Sequence, residues 1–430
     1  MPFSDKLLYI SFIVLLFSII SYITPQPHFE HTMSSAIRNV IVVGGSYVGS
    51  KAAQELAVIL PPTHRVLLVE PHSHFHHLFA FPRFAVVPTY EHKAFIPFTS
   101  IFNEPAIPNP SLHAVVRAKV NAVYPTHVSL DRAWRGETDI PYDFLAIATG
   151  TKLPAPGSMQ SEDKSNSVEY FKTYQEGVKR AKDIVIIGGG AVGVQMACDI
   201  KEVSPEKNVT LVQSRDHVMP KFHSKLHEII SNRFKELGVN LVTNNRVSVP
   251  AEGFPNDGST FSVVLKDGTS IPAQLVIPAT GQIPNTQLLS TLPPFSTDSL
   301  INPANGFIRV RPTLQLQDTK YSNIFAVGDI ADSGAHKAAR PAMQHAKVLA
   351  RNIVAMIDGK QPDEKINVEP AAIHMTMGLV QNIVFRNPNT AGGDTEPSYR
   401  SRDDGKPDMG IEDVWARRGV VVNDPSEYFL

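Results

Sequence analysis

The chain has 430 residues and a formal net charge of −1 at pH 7, which is enough length for two or three domains with their own cores. The near-neutral charge, with no basic run interleaved with aromatics, gives no reason to expect nucleic acid as a partner. One cysteine, Cys198, excludes an internal disulfide, a paired-thiol redox centre and a multi-cysteine metal site.

At the N-terminus, Leu7 to Ile23 carries no charge and is mostly Leu, Ile, Val, Phe and Tyr. As a helix it would span roughly 26 Å, slightly short of a ~30 Å hydrocarbon core and close to the thinner endoplasmic reticulum bilayer. Tyr22, Ile23 and Thr24 make a poor cleavage site and Pro25 and Pro27 follow at once. An uncleaved anchor is therefore preferred to a cleaved signal peptide. Initiation at Met33 would give a soluble form.

The β-branched run Val40-Ile41-Val42-Val43 leads into Gly44-Gly45-Ser46-Tyr47-Val48-Gly49. A helix is predicted over 48–60 and a second strand over 65–70, ending in Glu70, 21 positions after Gly49. A buried strand, a tight turn and a helix start present N–H groups and a positive helix end to a pyrophosphate, and the acid stands where ribose hydroxyls would arrive. Ser46 replaces the usual middle glycine, and its hydroxyl can donate to phosphate. His72, His74, His76 and His77 follow, with a spacing that fits no standard metal-ligand set; they read as a polar wall or as solvated loop residues. Residues 84–109, rich in Pro and Phe, are expected to be irregular. The stretch 114–130 alternates as strands do, and 142–150 is an apolar strand ending in Ala148-Thr149-Gly150.

The plan then repeats. Ile184-Val185-Ile186-Ile187 precedes Gly188-Gly189-Gly190-Ala191-Val192-Gly193, with a helix over 191–201, a strand over 209–213 and an amphipathic helix over 224–237. A β-rich stretch, 239–276, closes with Ala279-Thr280-Gly281, so Ala-Thr-Gly occurs once per unit, as an internal repeat should leave behind. Two glycine turns about 145 positions apart suggest two dinucleotides exchanging electrons. The second unit ends its second strand in Gln213-Ser214-Arg215 instead of an acid. Without a carboxylate to repel a 2′-phosphate, and with Arg215 to attract one, the site leans to NADPH while leaving NADH open.

Residues 323–329 form a further buried strand ending in Gly328-Asp329. A carboxylate there needs hydrogen-bond donors, either ligand hydroxyls or, as a helix N-cap, backbone N–H groups. A helix is predicted over 338–357. The polar stretch 386–413 reads as a mobile insertion.

Together these pieces resemble the two-dinucleotide flavoproteins and, within them, the apoptosis-inducing-factor-like branch, above all ferroptosis-suppressor-type NAD(P)H:quinone oxidoreductases and fungal flavoproteins of that branch. The resemblance runs from about Arg38 to Lys360. It rests on the two glycine turns, Phe75-His76-His77 with Arg83, Val120 before Tyr124, Pro205-Glu206-Lys207-Asn208-Val209-Thr210-Leu211, Gly328-Asp329, and Lys337 with His345. It implies FAD contacts at Gly44 to Gly49, Arg83, Val120 and Asp329, with Glu70 added from the ribose argument. The second turn satisfies the full glycine pattern, and Gly188, Gly190 and Gly193 are read from it as the site of NADPH or NADH. The family commonly has Glu where this chain has Gln195, near the nicotinamide and flavin. An amide can bond a carboxamide but cannot carry a proton relay or pair ionically with Lys337, the candidate for stabilising negative charge on reduced flavin.

The expected fold is α/β, with two nested Rossmann-like domains and a small C-terminal region. The expected segments are an anchor and linker (1–33), a first FAD-binding segment (34–152), an inserted NAD(P) domain (153–280), a second FAD-binding segment (281–360) and a C-terminal region (361–430). The expected activity is hydride transfer from NAD(P)H to FAD and then electron transfer to a quinone or other small acceptor. Alternatives are a flavin oxidoreductase acting on a small natural product, and a redox signalling flavoprotein. Since NAD(P)H is consumed, the globular portion is expected on the cytosolic face of the endoplasmic reticulum or mitochondrial outer membrane.

Overall fold

The structure, a computed structural model, describes residues 37–430. The predicted anchor within 1–33 lies outside the described residues. Among those described, no helix is long and apolar enough to cross a membrane.

The β-branched run becomes strand β1 (Arg38–Val43), buried from its second residue onward. It turns into helix α1 (Tyr47–Ile59) and returns as β2 (His64–Val69). β3 (Ala114–Val116) follows, then an antiparallel meander of β4 (Val120–Val123), β5 (His127–Trp134) and β6 (Glu137–Pro141), and then β7 (Phe144–Ile147). Helix α2 (Lys164–Arg180) leads into the second unit: β8 (Asp183–Ile187), α3 (Ala191–Val203), β9 (Asn208–Val212), α4 (Ser224–Leu237), β10 (Asn240–Val242), the hairpin β11 (Phe261–Val264) and β12 (Ser270–Ala273), and β13 (Leu275–Pro278). β14 (Ile324–Ala326) and α5 (Ala339–Ile357) belong to the first unit again. The chain closes with β15 (Ala372–Thr376), β16 (Asn382–Arg386), β17 (Ser398–Arg402) and α6 (Ile411–Arg417).

Two parallel sheets result, ordered β14-β7-β1-β2-β3 and β10-β9-β8-β13. The first is discontinuous in sequence, because β14 lies far beyond the second sheet. The two units share hydrogen bonds as well as motifs. Gly44 N–H donates to Val69 O at 2.9 Å and Gly188 N–H to Val212 O at 2.9 Å, while Ala148 N–H reaches Val43 O and Ala279 N–H reaches Ile187 O, each at 2.8 Å. The segments connecting the units, Thr151–Lys152 and Ile283–Pro284, pair antiparallel. Asn285 reinforces them by donating from its side chain to Thr149 O and accepting at its own carbonyl from Thr149 Oγ1, both at 2.9 Å.

Two features depart from the sequence-based expectation. Helix α2 has no clear sequence signal: it buries only the narrow stripe Lys164, Ser167, Phe171 and Val178, too sparsely apolar to stand out by period. The stretch 386–413, expected as an insertion without regular structure, contributes a strand and the start of a helix. β17 pairs along its length with β16, and α6 buries Ile411, Val414 and Trp415, with the indole N–H donating to Lys93 O at 2.8 Å. Three apolar side chains at i, i+3 and i+4 suffice to dock a short helix whose other residues are polar.

Candidate functional site

Both glycine turns open into one cleft of about 2130 Å³, well above the ~300–1,000 Å³ of a pocket for one small ligand. Gly44, Gly45, Ser46, Tyr47 and Val48 line one side, and Gly188, Gly189, Gly190 and Gln195 another. Nine lysines and arginines but only three carboxylates line the whole cleft. A chain of net charge −1 thus concentrates positive charge in the cleft as a whole, which favours an anionic ligand.

Gly44 has φ +101, and a Cβ there would stand 2.6 Å from Ala148 O; Gly188 has φ +113, with Ala279 O at 2.5 Å. In both turns only glycine fits, because the strand carrying Ala-Thr-Gly passes directly over it. Gly49 and Gly193 are held by close helix packing on the carbonyls of Gly44 and Gly188. Gly190 differs: a Cβ there would meet no protein atom within 4 Å. The space in front of Gly190 faces the cleft, as a position reserved for a ligand would. Ser46 caps α1 without a side-chain hydrogen bond.

Glu70, buried, accepts from Gly45 N–H at 2.5 Å through one oxygen and from His72 through the other. Gln213 occupies the matching place in the second unit. Its Oε1 accepts from Gly189 N–H at 3.0 Å and its Nε2 donates to His217 O at 3.0 Å. Arg215 is exposed and lines the cleft beside it.

Asp329 also lines the cleft. Burial pushes its carboxyl up, opposed by Lys337 and Lys221. It does not cap a helix, because α5 begins ten residues later with Ala338 at its N-cap. Lys337 lines the cleft too, with its ammonium donating to Ala331 O and lying 4.3 Å from the Phe307 ring centroid. Burial pushes that ammonium below its usual range, and Asp329 and Asp332 oppose the shift. Gln195, in the first turns of α3, contacts Met409 Sδ at 3.8 Å.

The four histidines all border the cleft. His77 Nδ1 meets Tyr47 Oη at 3.0 Å, and burial lowers the His77 imidazole to about 3. His76 packs against Phe81 and Phe95. Among the described residues no group of three His, Cys, Asp or Glu is placed to hold a metal.

Two expected flavin contacts do not face the cleft. Arg83 is fully buried: its Nε donates to Asp199 Oδ2 at 2.7 Å and its Nη2 to Gly378 O at 2.7 Å. Its charge is paired with Asp199 of α3. Val120, at the start of β4, turns its side chain into the core with Val128, Leu130 and Ile140. Its alternation in the meander points it away from the cleft. Arg246, which no motif in the sequence singles out, follows β10 and joins the lining.

The model of the pyridine nucleotide-disulphide oxidoreductase family matches residues 38–348. The chain belongs to that family. It is 34% identical over 410 residues to Fe-regulated protein 8 of Mycosarcoma maydis, covering 91% of this chain and 97% of that one. It is 29% identical over 330 residues to ferroptosis suppressor protein 1 of Homo sapiens, covering 75% and 82%. With a further match to apoptosis-inducing factor homolog B of Dictyostelium discoideum, 28% identical over 84% of this chain and 92% of that one, these relatives set it in the apoptosis-inducing-factor-like branch. In fold it is similar to the sulfide:quinone oxidoreductase of Aquifex aeolicus, with a TM-score of 0.67 at 20% identity over 91% of this chain and 94% of that one.

Members of the family bind FAD and NAD(P)H, and the residues here fit both. Both glycine turns line the cleft, the space in front of Gly190 is open, and Asp329 presents a carboxylate to the cleft. The disulphide chemistry in the family's name has no residues in this chain, whose one thiol, Cys198, is buried within α3 and pushed up by that burial. The protein is an FAD-dependent pyridine nucleotide oxidoreductase without a thiol pair.

Proposed function

We propose that this oxidoreductase passes electrons from NAD(P)H to a quinone and works at a membrane surface, held there by the segment Leu7 to Ile23 with the cleft on the cytosolic side. The observation that carries this reading is the set of apolar side chains that Gln195 meets at Met409. Ile373, Met375, Val384, Met409 and Val414, all from the C-terminal region, line the cleft, with Arg386, Arg400 and Arg417 between and beyond them. An apolar wall beside the reactive centre suits a planar, weakly polar acceptor. A thiol acceptor within the chain is excluded by composition, and the resemblance to ferroptosis-suppressor-type enzymes points the same way.

When bound, FAD supplies the two-electron chemistry between nicotinamide and acceptor. The protein's own residues bind and orient. Gly44 to Gly49 receive one diphosphate and Gly188 to Gly193 the other, each on backbone N–H groups at a helix start. Asp329 accepts from the flavin's sugar-alcohol hydroxyls, and Glu70 Oε2, with one lone pair beyond the bond from Gly45 N–H, from a ribose hydroxyl. Gln195 can bond a carboxamide but has no ionisable proton to relay. Lys337 keeps two N–H donors beyond the one on Ala331 O, sufficient to stabilise negative charge nearby and to deliver a proton from a site whose burial already weakens its hold on one.

The test is anaerobic stopped-flow: the flavoprotein is reduced with NADPH or NADH, then mixed with a short-chain soluble quinone. Reoxidation that accelerates in proportion to quinone supports the reading. Flavin that is reduced promptly but stays reduced in the presence of quinone would eliminate a quinone as acceptor and favour a redox signalling role.

A further inference from the structure

We propose that Arg215 and Arg246 together form a clamp for the 2′-phosphate of NADPH, making the second nucleotide site selective for NADPH. The inference rests on the oxidoreductase reading of the cleft and adds the choice of reductant and a residue the motifs do not reveal.

Three observations converge at the ends of β9 and β10. The position that follows β9 carries Gln213, not a carboxylate, and its amide is fixed by Gly189 N–H and His217 O. That amide does the structural work done by Glu70 in the first unit, bracing the glycine turn, without the negative charge that would repel a phosphate. Next, the chain after β10 folds directly onto the chain after β9: Asn245 N–H donates to Gln213 O at 3.2 Å and Asn244 N–H to Arg215 O at 2.9 Å. This register places Arg246 two residues beyond the Asn244–Arg215 contact, and both arginines line the cleft with Ser214 and Asn245.

Finally, neither guanidinium is taken by a carboxylate among the described residues. The acids close by are engaged elsewhere: Asp216 with His217 at 2.5 Å, and Asp267 with Thr269 N–H at 2.9 Å. The first unit shows the opposite arrangement. There Arg117, just past β3, is bound to Asp163, and the acid Glu70 stands at the strand end. One unit is thus built for a plain ribose diol, and the other offers two free, planar, always-charged donors where an adenosine 2′-phosphate would project.

The experiment uses the full flavoprotein with 2′,5′-ADP and 5′-AMP as binding probes, alongside flavin reduction by NADPH and NADH. The wild type is expected to bind 2′,5′-ADP at least about tenfold more tightly than 5′-AMP, the size of one charge-assisted contact. Arg246→Ala and Arg215→Ala should each weaken 2′,5′-ADP and NADPH about tenfold more than 5′-AMP and NADH. Gln213→Glu should invert the preference while keeping the glycine turn braced. Equal binding of the two probes by the wild type, or equal losses for both in Arg246→Ala, would overturn the clamp. The two readings fail separately. Selective 2′,5′-ADP binding without flavin reduction would sink the oxidoreductase reading alone, and brisk reduction by both nucleotides at similar affinity would sink the clamp alone.

Discussion

The guanidinium of Arg83 and the carboxylate of Asp199 meet at 2.7 Å with neither side chain exposed. Arg83 comes from the first dinucleotide unit and Asp199 from α3 of the second, one helical turn beyond Gln195 on the same face. Arg83 also donates to Gly378 O, and Arg233 on α4 binds Glu202 of α3 and Met377 O. The helix that offers Gln195 to the cleft is therefore tied to the first unit and to the C-terminal region by buried charge.

Removing one partner of this pair strands the other. Arg83→Ala should cost about 3–5 kcal/mol of stability, read by denaturant unfolding, whereas Arg83→Met combined with Asp199→Leu should cost much less. Folded Arg83→Ala protein should keep its FAD. Loss of FAD from well-folded protein would restore Arg83 to the flavin site.

Asp329 behaves differently, because its carboxylate faces the cleft and burial there disfavours its charged form. Asp329→Ala relieves a buried charge, so the fold should survive while FAD is lost on dialysis and the protein emerges colourless. Fully yellow material after extensive dialysis would remove Asp329 from the flavin site.

His77 sets an acid limit. Burial lowers its imidazole from the ordinary 6.5 to about 3, so the folded state binds fewer protons than the unfolded state between those values. Stability is fully present above pH 6.5 and falls as pH drops below it, by about 1.4 kcal/mol per pH unit from this group. His77→Phe keeps the ring and removes the proton site. It should flatten the stability profile between pH 6 and 4 relative to wild type, and a slope unchanged by the substitution would mean that other groups govern acid unfolding.

Deleting residues 2–33 tests the anchor. The truncated protein should move to the soluble fraction with flavin retained, and persistent membrane association would mean that another surface carries it there.

Much of the site is legible in the chain because its determinants are local. A glycine turn after a β-branched run, and an acid or amide at the end of the following strand, are fixed within thirty residues by backbone conformation and strand period. Gly44 and Gly188 announce themselves because only glycine can sit at positive φ beneath a crossing strand, and the second Ala-Thr-Gly marks the repeat. The polar stretch 386–413 misleads because its composition hides the pairing of β17 with β16 and the start of α6, whose docking residues Val414 and Trp415 lie just past its end.

What the sequence determined alone is the pair of dinucleotide folds, the absence of a thiol pair and the neutral residue at the end of β9. The tertiary structure decided which charges are free. Arg83 carries a familiar spacing, yet it is neutralised by a carboxylate 116 positions away. Arg246 carries no motif, yet the register of β10 on β9 delivers it to the cleft. A charge acts through whatever lies within a few ångströms of it, and that neighbourhood is set by how strands align and helices cross, which no single stretch of sequence contains.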